Sequence, residues 1–480
     1  MTSKTVIIRE LKTSHQNESF TKFLPLDSKL VEEIKNVVNE IFTALGGKDL
    51  LKSSGDVYIK PNGIDAKPYC YTRPEVIKAV IEYWFNAGAK NVYLMENSTQ
   101  ANYTRIVFES NGYKKICRNT GAIPIYLDEE KTVTFDFSGK EPVAARDDHG
   151  YDLVSFEMPV TVVEKLINKG EENLYINLPK LKTHSMAGVT LGIKNQWGFP
   201  AHGSRGIDHN YNLHNKLIDV LSYIKPDVTL IEGVEGTVYG HYPVLALADE
   251  CIKPFRLLIG SRNVVAADLV GAKIFGLGEE DVPHLHMAIE RGFGGEIKSL
   301  QDIDLVGDIT DLHSVDIIGD MPKTGSYPTD LYDSFPEDVK VIKGKELACK
   351  EGCVNNPLTL LQILYNDYNG KGGWTLLMGK GFDMEEILNI EGKVLIAGHC
   401  AIEEVSSVLI DKLKRKNVYL SGECNDLSAT AEAMFHLMKV NPMDLVPINP
   451  LTALRAFLIA KSKGSKSRVP NPLSHIIKRV

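Results

Sequence analysis

What the chain lacks narrows its function first. In its 480 residues no uncharged apolar run reaches the about 18–20 residues that cross a bilayer as a helix, so no membrane span is expected. The opening MTSKTVIIRE has no apolar signal-peptide core, which predicts a cytoplasmic protein. Basic residues are not in excess: 54 Lys and Arg against 62 Asp and Glu give a formal net charge of −8, which argues against a nucleic-acid partner. Cysteine is sparse and odd in number, at seven, too few for a disulfide scaffold, so any grouping points to reduced thiols or metal ligands. No GxGxxG follows a strand, and neither the P-loop motif nor the GxSxG elbow occurs, which leaves dinucleotide, P-loop and serine-hydrolase chemistry without a signature. Repeats and heptads are absent too, which leaves a scaffold role without support.

What is there reads as an ordinary globular composition, 43% apolar and 24% charged, on a chain long enough for two or three domains. "TVIIREL" is followed by "SKLVEEIKNVVNEIFTALGG", whose apolar residues recur at three and four steps until Gly46-Gly47 stops the helix. The alternation repeats in "DVYIKPNG" and "RPEVIKAVIEYWFNAG", then in "NVYLMENS" and "TRIVFESNGYKKICRNTG". Strands alternating with helices predict an α/β fold with a mixed or mostly parallel sheet covered by helices. Residues 125 to 160 read as a strand-rich excursion including "TVTFDFSG" and "MPVTVVEKLI", and "DVTLIEGVEG" and "FRLLIGS" as further strands. A Pro-, Gly-, Ser- and Asp-rich stretch at 320 to 340 predicts a linker, dividing an α/β domain at 1–330 from a second, smaller α/β domain at 340–460. Residues 461–480 carry six Lys and Arg and no acid, and predict a solvated basic tail.

The stretch "YINLPKLKTHSMAGVTLGIKNQWGFP" places Lys180, Lys182 and His184 at alternate positions, so on a strand they share one face. Three cations there repel unless an anion or carboxylates neutralise them, which points to a phosphate or carboxylate site; an edge strand guarded by lysines is the plainer reading. Lys60 and Asn62 in "IKPNG", and Glu96 and Asn97 in "LMENS", stand just past strand ends, where open α/β sheets bind ligands. Glu232, Glu235 and Asp268 occupy comparable positions.

"NLPKLKTH" before "VTLGIKNQWG", with "KPNG" and "TRPEVIKAVIEYWFNAGAKNVYLMENS" upstream and "DVTLIEGVEG" and "VVAADLVGAKIFGLG" downstream, resembles the family called domain of unknown function 362 over roughly residues 50 to 295. The resemblance implies an α/β region and, since many members carry or accompany iron–sulfur centres, a metal cofactor; it names no reaction. This chain departs from the pattern at Tyr239-Gly240-His241-Tyr242-Pro243, where relatives carry a Gly-Pro loop.

Two further constellations stand out. His184, His202, His209, His214 and His241 crowd into a Gly- and Asn-rich segment, suited to acid–base work, to substrate hydrogen bonding or to a metal, without a recognised metal motif. Cys349, Cys353, Cys400 and Cys424 fall in the smaller domain, the last two at equivalent strand ends, and four thiolates can hold an iron–sulfur cluster or zinc, while buried inert thiols are the plainer reading.

Two functions follow. The first is an iron–sulfur or other metal-binding oxidoreductase or electron-transfer protein with a redox partner protein, whose cluster faces a cationic pocket for a small anionic metabolite. The second is a non-redox enzyme or binding protein for a small carboxylate or phosphate. In both, Lys180, Lys182 and His184 form the catalytic set, and Lys60, Asn62, Glu96 and Asn195 bind the substrate.

Overall fold

The computed structural model describes residues 2–14, 19–99, 101–136, 155–202, 205, 213–315, 335–422 and 426–478. The core is a twisted sheet whose main path runs Asp304–Gly307, Thr5–Glu10, Leu257–Ser261, Val228–Thr237, Leu174–Leu178, Asp56–Pro61, Asn91–Glu96 and Ile123–Tyr126. Of these eight, Leu257–Ser261 alone pairs antiparallel with its neighbours; the others run the same way. Central strands such as LYINL are buried on both faces, which is why they read as continuous apolar runs.

Helices cover the two faces where the periodicity puts them. Ser28–Leu45 begins at Asp27, whose carboxylate accepts the N–H groups of Lys29 and Leu30, and ends at Gly46. Pro74 opens Pro74–Asn86 at the position where its missing N–H costs nothing. "TRIVFESNGYKKICRNTG" is two helices, Thr104–Ser110 and Tyr113–Thr120, broken at Gly112. Thr132–Asp136 and Ser155–Pro159 form a separate antiparallel pair, but the VVEKLI run is a helical turn, Val162–Ile167; a short apolar run does not by itself distinguish strand from helix.

A second, four-stranded parallel sheet has the order Val339–Lys343, Trp374–Met378, Lys393–Ala397 and Val418–Leu420. Helices Asn356–Tyr368 and Leu427–Met438 share one of its core clusters, while His399–Leu413 belongs to the other. Most of the expected 320–340 linker lies outside the described residues.

The chain's last part does not behave as a solvated tail. Helix Pro450–Ser462 turns its small residues Ala456 and Ala460 onto Tyr103 and Ile106 of the large unit. Lys466 N–H then donates to Asp128 O at 2.8 Å, Ser467 Oγ meets Asp128 Oδ2 at 3.2 Å and His202 Nε2 at 3.1 Å, and Lys478 Nζ donates to the carbonyls of Arg415, Lys416 and Val418. Residues 465–478 therefore form a strap fastened to both units. The basic composition misled because the segment is held through backbone and hydroxyl groups, which leave no charge pattern.

Candidate functional site

At the C-terminal ends of the central strands the chain collects polar side chains around a cavity of about 420 Å³. Lys60 is the penultimate residue of one strand and Glu96 ends the next, and Lys60 Nζ donates to Glu96 Oε1 at 2.6 Å with both side chains 1% exposed. Glu96 is held further by the N–H groups of Gly63 at 2.7 Å and Asn97 at 2.9 Å. Asn195 links the ends: its Oδ1 accepts from Asn62 Nδ2 at 3.0 Å, and its Nδ2 donates to Asn177 Oδ1 at 2.8 Å. A side chain at Gly198 would place its Cβ 2.8 Å from both Lys60 Nζ and Glu96 Oε1, which explains the glycine that ends "NQWG".

The short helix Gly192–Asn195 that carries Lys194 and Asn195 is fixed from behind. Asp268 Oδ1 and Oδ2 accept the N–H groups of Gly192 at 2.7 Å and Ile193 at 2.8 Å, and burial pushes the Asp268 carboxyl up to about 7 despite these bonds. Asp268 is thus a capping residue set behind the wall.

The three alternating residues of Lys180–His184 have different surroundings. Lys182 and His184 line the cavity with Lys60, Asn62, Glu96 and Asn195. Lys180 does not. Its Nζ lies 3.0 and 2.9 Å from the two carboxylate oxygens of Glu232 and 3.5 Å from Glu235, which in turn binds the Arg73 guanidinium. Lys180, Glu232, Glu235 and Arg73 form a buried ion network, so the expectation that Lys180 acts beside Lys182 is corrected: its charge is already neutralised.

Lys182 has no such partner among the described residues. Its Nζ donates to the carbonyl of Cys70, and burial pulls the amine down to about 7, with Lys180 adding repulsion. Lys194 is likewise held at about 7, by burial and then by the fields of Lys182, Arg205 and Lys60. Arg205 donates to the carbonyls of Asn97 at 3.2 Å and Ser98 at 2.7 Å and to no carboxylate, and burial lowers it to about 10. Among the described residues, therefore, Lys182, Lys194 and Arg205 line one cavity with no ion-pair partner. Asn62 Oδ1, also at this wall, is buried without a hydrogen-bond partner among the described residues.

His184 Nδ1 accepts the N–H groups of Met186 at 3.0 Å and Ala187 at 3.2 Å, so a neutral ring carries its proton on Nε2. Its ring stacks on His241 at 3.9 Å and 2°. His202 contacts Arg205 at 3.0 Å, and burial then Arg205 hold it well below the usual histidine range. His214 meets His284 at 3.1 Å between Nδ1 atoms, and burial pulls His214 down to about 4. His209 lies outside the described residues. The histidine-rich segment thus divides between cavity wall and core.

The cysteine constellation is only partly described. Cys349, Cys353 and Cys400 carry no disulfide, and Cys424 lies outside the described residues. Cys353 Sγ approaches Gly398, next to the start of the helix that bears Cys400. Among the described residues no group of three or more His, Cys, Asp or Glu is arranged to hold a metal ion.

Sequence reasoning passed over Lys194 and Arg205. Lys194 was legible as the one cation inside the apolar "VTLGIKNQWG"; Arg205 stands in a loop-like segment with no periodicity to orient it. It also missed the opposite wall, which the smaller unit supplies through Leu360, Ile363, Leu427, Phe435 and Phe457. Lys67 and Asp367 join the two units in a buried pair at 2.6 Å.

No described helix is long and apolar enough to cross a membrane. A thylakoid-associated protein of Synechocystis sp. is 29% identical over 250 residues, covering 50% of this chain and 69% of that protein. A crystal structure of a Thermotoga maritima protein matches with a TM-score of 0.36 and 12% identity, over 85% of this chain and 83% of that one. Residues 57–273 match the model of a domain of unknown function (DUF362), and this span contains the cavity's cations Lys60, Lys67, Lys182, Lys194 and Arg205. Over those residues the chain is similar to the DUF362 family.

Proposed function

We propose that the protein binds a small anionic metabolite, a carboxylate or phosphate, in the cavity lined by Lys182, Lys194 and Arg205. The observation that carries this reading is the presence of three buried cations without a carboxylate partner among the described residues, while Lys60 at the same wall and Lys180 away from the cavity are each paired. Burying unpaired charge is costly, and an anion offsets that cost by supplying charge-assisted hydrogen bonds. Asn62 Oδ1 offers an acceptor for a ligand hydroxyl, and the His184 Nε2–H a donor or general acid. Lys60, Glu96 and Asn195 position this wall through their mutual bonds.

The test is equilibrium titration of the full chain with sulfate, a dianion that does not titrate near neutral pH. Saturable binding that is lost in Lys182→Met and Lys194→Met, and kept in a surface control such as Lys48→Met, supports the reading. Equal binding in all four proteins would overturn it.

A redox role through Cys349, Cys353, Cys400 and Cys424 is a second reading, favoured by the approach of Cys353 to Gly398 just ahead of Cys400. Four thiolates would hold an iron–sulfur cluster, or zinc in its place, and a cluster would call for a redox partner protein. None of the six described cysteines is in a disulfide, which suits a cytoplasmic location. Metal analysis and visible absorbance of anaerobically purified protein test it: a colourless, metal-free sample would remove this reading.

A further inference from the structure

The cavity has two chemically distinct ends. One is the cationic wall at the strand ends of the DUF362 region. The other is built by one face of each of three helices: Leu360 and Ile363 on Asn356–Tyr368, Leu427 and Phe435 on Leu427–Met438, and Leu454 and Phe457 on Pro450–Ser462. The spacings of three, eight and three residues keep each pair on a single helix face. Leu454 lines the cavity while 54% exposed, and Met443 does so while 37% exposed, so the apolar end reaches solvent past an apolar rim.

A fully hydrated anion such as phosphate would occupy the cationic end and leave this apolar space filled with water against leucine and phenylalanine. Such surface gains free energy when it is covered by hydrocarbon. We infer that the ligand is an anionic amphiphile, with a carboxylate or phosphate head at Lys182, Lys194 and Arg205 and a hydrocarbon body along the apolar end. This rests on the anion-binding reading above and adds the second half of the molecule. Neither unit alone builds both ends, so the smaller unit and its strap serve to complete the site. The Lys67–Asp367 pair, with Asp367 also accepting the N–H groups of Leu245 and Ala246, holds the two halves in register.

The experiment titrates the full chain at pH 6.5 with a series of alkyl phosphates from methyl to decyl, below their micelle concentrations, with inorganic phosphate and sulfate as headgroup controls. Alkyl carboxylates of the same lengths distinguish the two head classes. Affinity should rise with chain length by up to about fourfold per buried methylene until the apolar end is filled. Leu454→Asn, at a side chain 54% exposed, should flatten the length dependence. Lys194→Met should weaken every member of the series. Decyltrimethylammonium, with the same tail and the opposite charge, should not bind.

Sulfate binding with no dependence on chain length would overturn the inference and leave the anion reading standing. Loss of both sulfate and alkyl phosphate binding would overturn both. Equal binding of the cationic and anionic decyl compounds would reduce the site to an unselective apolar hole and overturn the inference.

Discussion

Lys180 and Lys182 stand two residues apart on one strand, and both are fully buried. The neighbouring strand Val228–Thr237 offers Glu232 opposite Lys180 and Thr237 opposite Lys182, with a register irregularity between. One ammonium therefore meets two carboxylates, and the other meets a hydroxyl-bearing neighbour and a backbone carbonyl. A buried charge is tolerated when it is paired and hydrogen-bonded, and is otherwise pushed toward its neutral form. The contrast separates a lysine whose charge the fold itself neutralises from one that meets no carboxylate among the described residues.

Breaking the paired side should have the largest effect. Lys180→Met removes the ammonium that neutralises Glu232 and lies beside Glu235, and truncating one member of a buried ion network costs about 3–5 kcal/mol. Lys182→Met removes a desolvated amine with no carboxylate to strand, and should cost under about 1 kcal/mol or stabilise the empty protein. Denaturant unfolding of the two variants checks the ordering, and a Lys182 variant less stable than the Lys180 variant would break the comparison.

A third buried lysine sharpens it at a smaller magnitude. Lys67 is paired like Lys180, but across the two units, and Asp367 binds Lys67 and two backbone N–H groups. Asp367→Ala should cost about 2–3 kcal/mol through lost charge-assisted bonds. Hydrogen exchange should quicken in Asn356–Tyr368 and near Leu245 while Asp56–Pro61 keeps its protection. Uniformly faster exchange would show that the pair stabilises the whole chain rather than the junction.

Much of this architecture could be read in advance, for local reasons. The strand–helix alternation, Gly46 and Pro74 are signals written within a few residues of the structure they specify, and the strand-end polar residues Lys60, Asn62 and Glu96 follow from the topology of parallel sheets. What could not be read is which buried cation meets a carboxylate, because Glu232 and Glu235 lie more than 50 positions from Lys180 and reach it through a parallel crossover. The apolar wall was hidden for the same reason: the residues on its three helices look like ordinary core faces until the cavity they border is seen. The strap was misread because its contacts are made by Lys466 N–H, Ser467 Oγ and carbonyl groups, which composition does not report.

The finest test of the contrast is pH, and its sign differs between folding and binding. Lys182 and Lys194 each sit at about 7 in the folded chain, through burial first, against about 10.4 for a free lysine. Between these values the unfolded chain binds more protons than the folded one, so the stability of the empty protein should rise as pH climbs from about 7 to about 10. Below that window both states are protonated, and above it neither is, so these lysines contribute no slope there. Anion binding runs the opposite way, because a bound dianion favours the ammonium forms and draws protons onto amines that are partly neutral. Sulfate affinity should therefore fall as pH rises above 7, by up to about tenfold per pH unit for each lysine that must be charged. Titrations at pH 6.5, 7.5 and 8.5, in buffers of different ionisation enthalpy, read both the slope and the proton uptake. The double variant Lys182→Met with Lys194→Met, if it retains binding through Arg205, should show neither. Sulfate affinity that holds constant or rises over this range in the unaltered protein would mean that these amines are already neutralised, as Lys180 is, and the distinction between the two lysines would fall.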